Sequence, residues 1–187
     1  LGEFVLLLAT CFCLSCNQPK EQALPEASWQ SQIAAVTKGE SDRIEVTQQA
    51  IGDDELRQVE GLDQLRELLI DKGTMSAASL PVLAKLSRLE HLKIRGARID
   101  DEGFRRLCAI HSLKRLNLPQ ADLTDEGLQA IAELKDLESL RFGSPQVTDA
   151  GLATIAQVKT LRWLHLIEIP LGDAALKSIA ELPQLES

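Results

Sequence analysis

The chain has 187 residues, of which 44% are apolar but only 3% aromatic, and Tyr is absent. That length can bury one sizeable core or build one elongated array, and the aliphatic side chains suit an interior of thin, repeated layers. A formal charge of −8 argues against non-specific nucleic-acid binding, which needs a basic surface, and Cys108, alone beyond residue 16, excludes a disulfide or a Cys-based zinc site in the body.

Residues 4–15, FVLLLATCFCLS, form an apolar run that stops at Cys16 and gives way to NQPKEQALPE. The run is too short for a spanning helix, which needs roughly 20 residues, and it matches the apolar core of an export signal. Leu14-Ser15-Cys16 resembles the end of a bacterial lipoprotein leader, where small residues precede a cysteine that becomes lipidated; Leu8-Ala9-Thr10-Cys11 is a second match. Cys13 stands where that pattern usually has Leu, and Thr10 is larger than the residue expected before Cys11. No Met and no basic residue precede the run, which reads as an incomplete or misassigned N-terminus. A plain secretory signal and an uncleaved apolar tail are the other readings. The lipoprotein resemblance implies a leader over 1–16, lipidation at Cys16, and an exported protein anchored by lipid to a bacterial cell envelope. The polar residues 17–27 then read as a flexible tether.

Residues 28–40, SWQSQIAAVTKGE, predict a capping helix whose Trp29, Ile33 and Val36 face the next segment. From residue 41 the sequence repeats. Leu65, Leu89, Leu113, Leu137, Leu161 and Leu185 fall 24 apart and mark six units, 41–64, 65–88, 89–112, 113–136, 137–160 and 161–184, with a seventh beginning at Leu185. The fourth position is Ile44, Leu68, Leu92, Leu116, Leu140 and Leu164; the sixth is Val46, Ile70, Ile94, Leu118, Phe142 and Leu166. Each unit opens with strand alternation, as at Leu116 and Leu118, and continues with helical spacing, as at Leu128, Ile131 and Leu134.

Between the two halves, Thr124-Asp125 predicts a helix N-cap, with related turns at Asp100-Asp101, Thr148-Asp149 and Gly172-Asp173. A calcium ladder is the other reading of this row of aspartates, and N-capping explains it more simply. Gly73, Ala97 and Ala121 at the ninth position predict no asparagine ladder. A single unit cannot bury its apolar stripe, so neighbours must stack. The expected fold is an α/β solenoid, or horseshoe, with parallel strands on the concave face and helices on the convex face.

The phrase L-x-x-L-x-L-x-x-x-x-[IL]-T-D-x-G-L-x-x-[IL] resembles the leucine-rich-repeat family, notably its bacterial TD-x-GL type, over residues 41–187. It is also similar to the repeats of F-box substrate receptors. The resemblance implies a module that binds a protein partner. An intracellular F-box-like receptor for ubiquitin ligation, and the binding arm of a larger enzyme or signalling protein, are the alternatives it leaves. The stop at Leu185-Glu186-Ser187, just inside a seventh unit, reads as a fragment.

Positions three, five and seven of each unit point out of the concave face. Repeats 3 to 5 place His91, Lys93, Arg95, Arg115 and Arg141 there with no acid at the same positions, and repeat 6 adds Trp163, His165 and Ile167. A basic patch beside an exposed Trp suits an acidic peptide or protein surface, since Trp and Arg dominate interface hot spots. The bland alternative is a solvated face whose residues carry no individual meaning. Catalysis finds no support. His91 and His165 stand three strands apart, roughly 14 Å, Cys108 sits beside core Leu107, and His111 next to Ser112 is no triad geometry. No glycine-rich phosphate loop occurs. The sequence therefore predicts no enzyme, cofactor or metal, and membrane contact only through a lipid anchor.

Overall fold

The structure, a computed structural model, describes residues 27–186. The leader over 1–16, its Cys16, and tether residues 17–26 lie outside the described residues. Helix α1 (Trp29–Thr37) starts at Ser28, whose hydroxyl accepts the Ser31 N–H. Trp29 and Val36 are fully buried. Gln32 lies along the outer edge of strand β1 (Arg43–Val46): its side-chain amide donates to the Glu45 carbonyl at 2.7 Å and accepts the Glu45 N–H at 2.7 Å. The helix thus covers the apolar end of the array and satisfies strand groups that an open edge would expose.

Five further strands follow: β2 (Glu67–Ile70), β3 (His91–Ile94), β4 (Arg115–Leu118), β5 (Ser139–Gly143) and β6 (Trp163–Ile167). All six are parallel and lie in chain order, each residue pairing with its counterpart one unit later, as Ile44 with Leu68 and Leu68 with Leu92. A backbone ladder extends this register. The N–H groups of Arg66, Glu90, Lys114, Glu138, Arg162 and Glu186 each donate to the carbonyl 24 residues earlier, at 2.7–2.9 Å.

The fourth- and sixth-position side chains of the first five units are buried and stack into one core. Each such aliphatic side chain contributes roughly 1.5–3 kcal/mol by leaving water. In the sixth unit Leu164 and Leu166 are only partly buried, and Leu171 and Leu176 are 47% and 53% exposed. No helix among the described residues is long and apolar enough to cross a membrane.

The convex halves are less uniform than the repeat. Four units carry α-helix alone: α2 (Asp53–Arg57), α3 (Asp101–Cys108), α5 (Asp149–Ile155) and α6 (Asp173–Ala180). The fourth unit has α4 (Asp125–Leu128), which tightens to a 3₁₀ turn over Gln129–Glu133. The second has only a 3₁₀ helix, Leu80–Lys85. There Pro81 removes an N–H donor and Ala77 and Ala78 replace the acids that favour a helix start.

Of the Thr124–Asp125 pair read as the cap, Thr124 caps and Asp125 does not, and Asp101 and Asp149 behave like Asp125. The caps are the residues before them: Thr124 accepts from the Gly127 N–H, Thr148 from the Ala150 N–H, and Asp100 from the Gly103 N–H. The following aspartates reach into the next unit instead. Asp101 accepts the Thr124 N–H at 2.8 Å and its hydroxyl at 2.7 Å. Asp125 does the same for Thr148 at 2.7 and 2.6 Å, and Asp149 accepts the Gly172 N–H at 2.8 Å. Asp53 binds Ser76 and Ser79 in the same manner. Gly127, Gly151 and Gly172 leave the space these carboxylates occupy, since a Cβ at each would fall inside the preceding unit's aspartate.

The T-D-x-G signature is therefore a clasp between neighbours: Thr caps its own helix, Asp holds the next Thr, and Gly admits the previous Asp. Desolvation pushes the Asp125 carboxyl upward, but hydrogen bonds from the Thr148 hydroxyl and the N–H groups of Thr148 and Gly151 outweigh it and hold the group below its ordinary value. Asp53 is likewise lowered, by the Ser76 N–H first and then the Ser79 and Ser76 hydroxyls. In the fifth unit Ser144 adds a side-chain tie between units: fully buried, its hydroxyl donates to the Leu123 carbonyl at 2.7 Å and accepts the Leu123 N–H at 2.8 Å.

Candidate functional site on the concave face

The strand ladder places the predicted residues on one surface. Arg43, Glu67, His91, Arg115, Ser139 and Trp163 form one row, and Glu45, Leu69, Lys93, Asn117, Arg141 and His165 the next. The expectation of an acid-free basic patch fails for its near half. Glu67 contacts Arg43 at 2.6 Å and Arg115 at 2.8 Å, reaching across two strands to the latter. Asp71 holds Lys93 at 2.5 Å. Columns compared within repeats 3 to 5 miss these partners because the acids stand in repeat 2, within the reach of long side chains. Leu69, between Glu45 and Lys93 in its row, is 6% exposed and lies outside the main core cluster.

His91 is half-buried. Desolvation first, and then the Arg115 charge, lower its pKa below the ordinary histidine value, so it is neutral at pH 7. Its Nδ1 lies 3.9 Å from Glu67 and makes no hydrogen bond.

The far half is different. Among the described residues Arg95 and Arg141 have no carboxylate partner within 4.0 Å. A hollow of about 330 Å³ is lined by His91, Arg115, Asn117, Ser139, Arg141, Trp163, His165 and Glu186. A second, of about 280 Å³, lies beside it, lined by Lys93, Arg95, Asn117, Pro119, Gln120, Arg141, Ile167 and Glu168. Asn117 and Arg141 belong to both. The Asn117 amide oxygen is buried and has no donor, a condition that is costly unless something pairs with it.

Trp163 is 45% exposed. The Arg162 guanidinium lies 4.9 Å from the centre of its ring, a cation–π contact, and Arg162 is ion-paired with Glu186. Sequence reasoning missed this brace, although its signal is present. The second positions of successive units, Asp42, Arg66, Glu90, Lys114, Glu138, Arg162 and Glu186, alternate in sign. Arg66 contacts Asp42 at 4.0 Å and Glu90 at 3.7 Å, and Lys114 contacts Glu90 at 3.5 Å.

The residues set aside as non-catalytic have structural settings. Cys108 is buried, and desolvation first and Glu133 second raise its thiol, leaving it protonated and unreactive at pH 7. The Ser112 hydroxyl donates to the Leu89 carbonyl at 2.8 Å, and His111 is exposed.

Comparison with known proteins agrees with this architecture. A family model described as Leucine Rich repeat matches residues 109–132. An internalin of Listeria monocytogenes is similar in structure, with a TM-score of 0.59 and 22% identity over 76% of this chain and 37% of its own. Internalin C2 of the same organism gives 0.55 and 16% identity, covering 82% of this chain and 81% of its own. A leucine-rich-repeat protein of Leptospira interrogans gives 0.50 and 21% identity over 69% of this chain and 32% of its own. This chain thus spans well under half the length of the first and third. No curated protein matches it in sequence. The fold is a leucine-rich-repeat horseshoe, an open parallel sheet with helical segments on its outer side.

Proposed function

We propose that this chain is a non-catalytic binding scaffold of a bacterial cell envelope that takes a protein or acidic peptide on its concave face. The observation that carries the reading is the hollow around Arg141 and Trp163. A cation with no carboxylate within 4.0 Å among the described residues and a half-exposed indole share one wall there, and such groups commonly supply hot-spot energy at interfaces. Concave hollows on a rigid sheet are suited to holding an extended segment, and the groups lining this one form no nucleophile–base pair.

The test is selection of ligands from a random peptide library on the full chain. Arg141→Glu and Trp163→Ala are expected to weaken the selected ligands at least about tenfold while leaving thermal unfolding unchanged. Wild-type binding by both variants defeats the concave-face reading.

Envelope attachment rests on the Cys16 leader and has its own readout. Expressed in a bacterial host behind a complete signal, the chain is expected to incorporate labelled palmitate and to lose the label in Cys16→Ala. Equal labelling of the two, or none in either, removes the anchor.

A further inference from the structure

We infer that the concave face selects an extended segment bearing a carboxylate and an apolar side chain two residues apart, the carboxylate on Arg141 and the apolar group on Trp163. The inference rests on the concave-face reading and narrows it to one chemistry.

Charge complementarity fixes the first half. Glu45, Glu67 and Asp71 already neutralise Arg43, Arg115 and Lys93, so an incoming carboxylate gains little over the near half of the sheet. Arg141 stands where the two hollows meet, and among the described residues no carboxylate lies within 4.0 Å of it; of the acids that line the hollows, Glu186 is held by Arg162 and Glu168 stands at the far end beside Ile167. Beside it, one strand nearer the N-terminus, is Asn117, whose buried amide oxygen lacks a donor. A backbone N–H of an extended ligand is such a donor.

The spacing fixes the second half. Arg141 pairs with His165 and Ser139 with Trp163, so Arg141 and Trp163 are diagonal neighbours, one strand over and two residues along. With strands about 4.8 Å apart and a rise of about 3.3 Å per residue, their backbones are roughly 8 Å apart. Side chains at i and i+2 of an extended peptide leave the same face roughly 6.6 Å apart, and the arginine's length absorbs the difference. Neighbours at i and i+1 leave opposite faces and cannot engage both. The indole is held in place by Arg162, itself fixed by Glu186, so its other side is presented as an ordered apolar platform.

The experiment uses the full chain and synthetic capped peptides in a Gly/Ser background, with Glu and Leu at i,i+1, i,i+2 or i,i+3. The reporter is iodide quenching of Trp163, which is cleanly separated because Trp29 is fully buried. The i,i+2 peptide is expected to bind about tenfold more tightly than the others and to protect Trp163 from iodide. Glu→Gln or Leu→Ala in that peptide is expected to remove the advantage. Against Arg141→Glu, a Lys-x-Leu peptide should replace Glu-x-Leu as the better ligand. Equal affinity across the spacing series, or an unchanged preference in Arg141→Glu, overturns the inference. If library ligands depend on Arg141 and Trp163 yet lack the i,i+2 pattern, the spacing rule falls and the concave-face reading stands. If those ligands are also indifferent to both residues, both fall together.

Discussion

Gly127→Ala is expected to destabilise the array by about 2–4 kcal/mol, although alanine is the better helix former by roughly 0.5–1 kcal/mol. Gly127 lies in α4, and a Cβ there would occupy the place of the Asp101 carboxylate. Asp101 must then give up the Thr124 N–H and hydroxyl, or the two units must separate. The decisive comparison is in an Asp101→Ala background, where the space is empty and the clasp already lost. There Gly127→Ala is expected to turn neutral or slightly stabilising, read as a shift of the urea midpoint in the opposite direction. The same destabilisation in both backgrounds would show that the glycine serves something other than the carboxylate.

Trp29→Ala is expected to cost about 3–5 kcal/mol, the range for a fully buried large aromatic. The loss extends beyond a cavity. Trp29 donates its ring N–H to Gln58 at 3.2 Å and seats the helix that carries Gln32 against β1. Hydrogen exchange is therefore expected to accelerate most at the β1 amides of Ile44, Glu45 and Val46, and little at β4. Uniform acceleration along the sheet would mean that α1 stabilises the whole array and does not guard one edge. Gln32→Ala separates the two contributions, because it opens the edge groups while leaving the indole in place.

The fold was legible because its cause is periodic. A 24-residue recurrence of Leu65, Leu89 and Leu113 requires stacked units, and alternation at Leu116 and Leu118 assigns the buried face without reference to anything distant. The concave column at positions three and five was legible for the same reason, and Arg141, Trp163 and His165 do share one hollow. What the sequence concealed is interaction between units at unequal positions. Glu67 reaches Arg115 forty-eight residues away, a diagonal that comparison of equivalent positions cannot detect. Asp101, Asp125 and Asp149, unlike Asp100, were misread as caps because a first-turn acid fits the dipole of its own helix as well as it fits a neighbour's N–H. The 3₁₀ segment at Leu80–Lys85 follows from Pro81 and the alanines before it, local exceptions that a consensus phrase averages away.

Those clasps make the outer rim stiff, and unequally so. Four of its five joints are closed by a short carboxylate on the next unit's turn: Asp53, Asp101, Asp125 and Asp149. At the joint between the second and third units Ala77 offers no carboxylate, and the connection there is the Arg106 guanidinium on the Ala77 carbonyl at 2.8 Å, a long and flexible arm. In mechanical terms the array is a beam with one compliant joint. The Glu67–Arg115 and Asp71–Lys93 pairs span that joint on the inner side. A bend that flattens the horseshoe closes this outer joint, spreads the concave side and draws Glu67 and Asp71 away from their cations, so curvature and the positive charge open in the groove are linked.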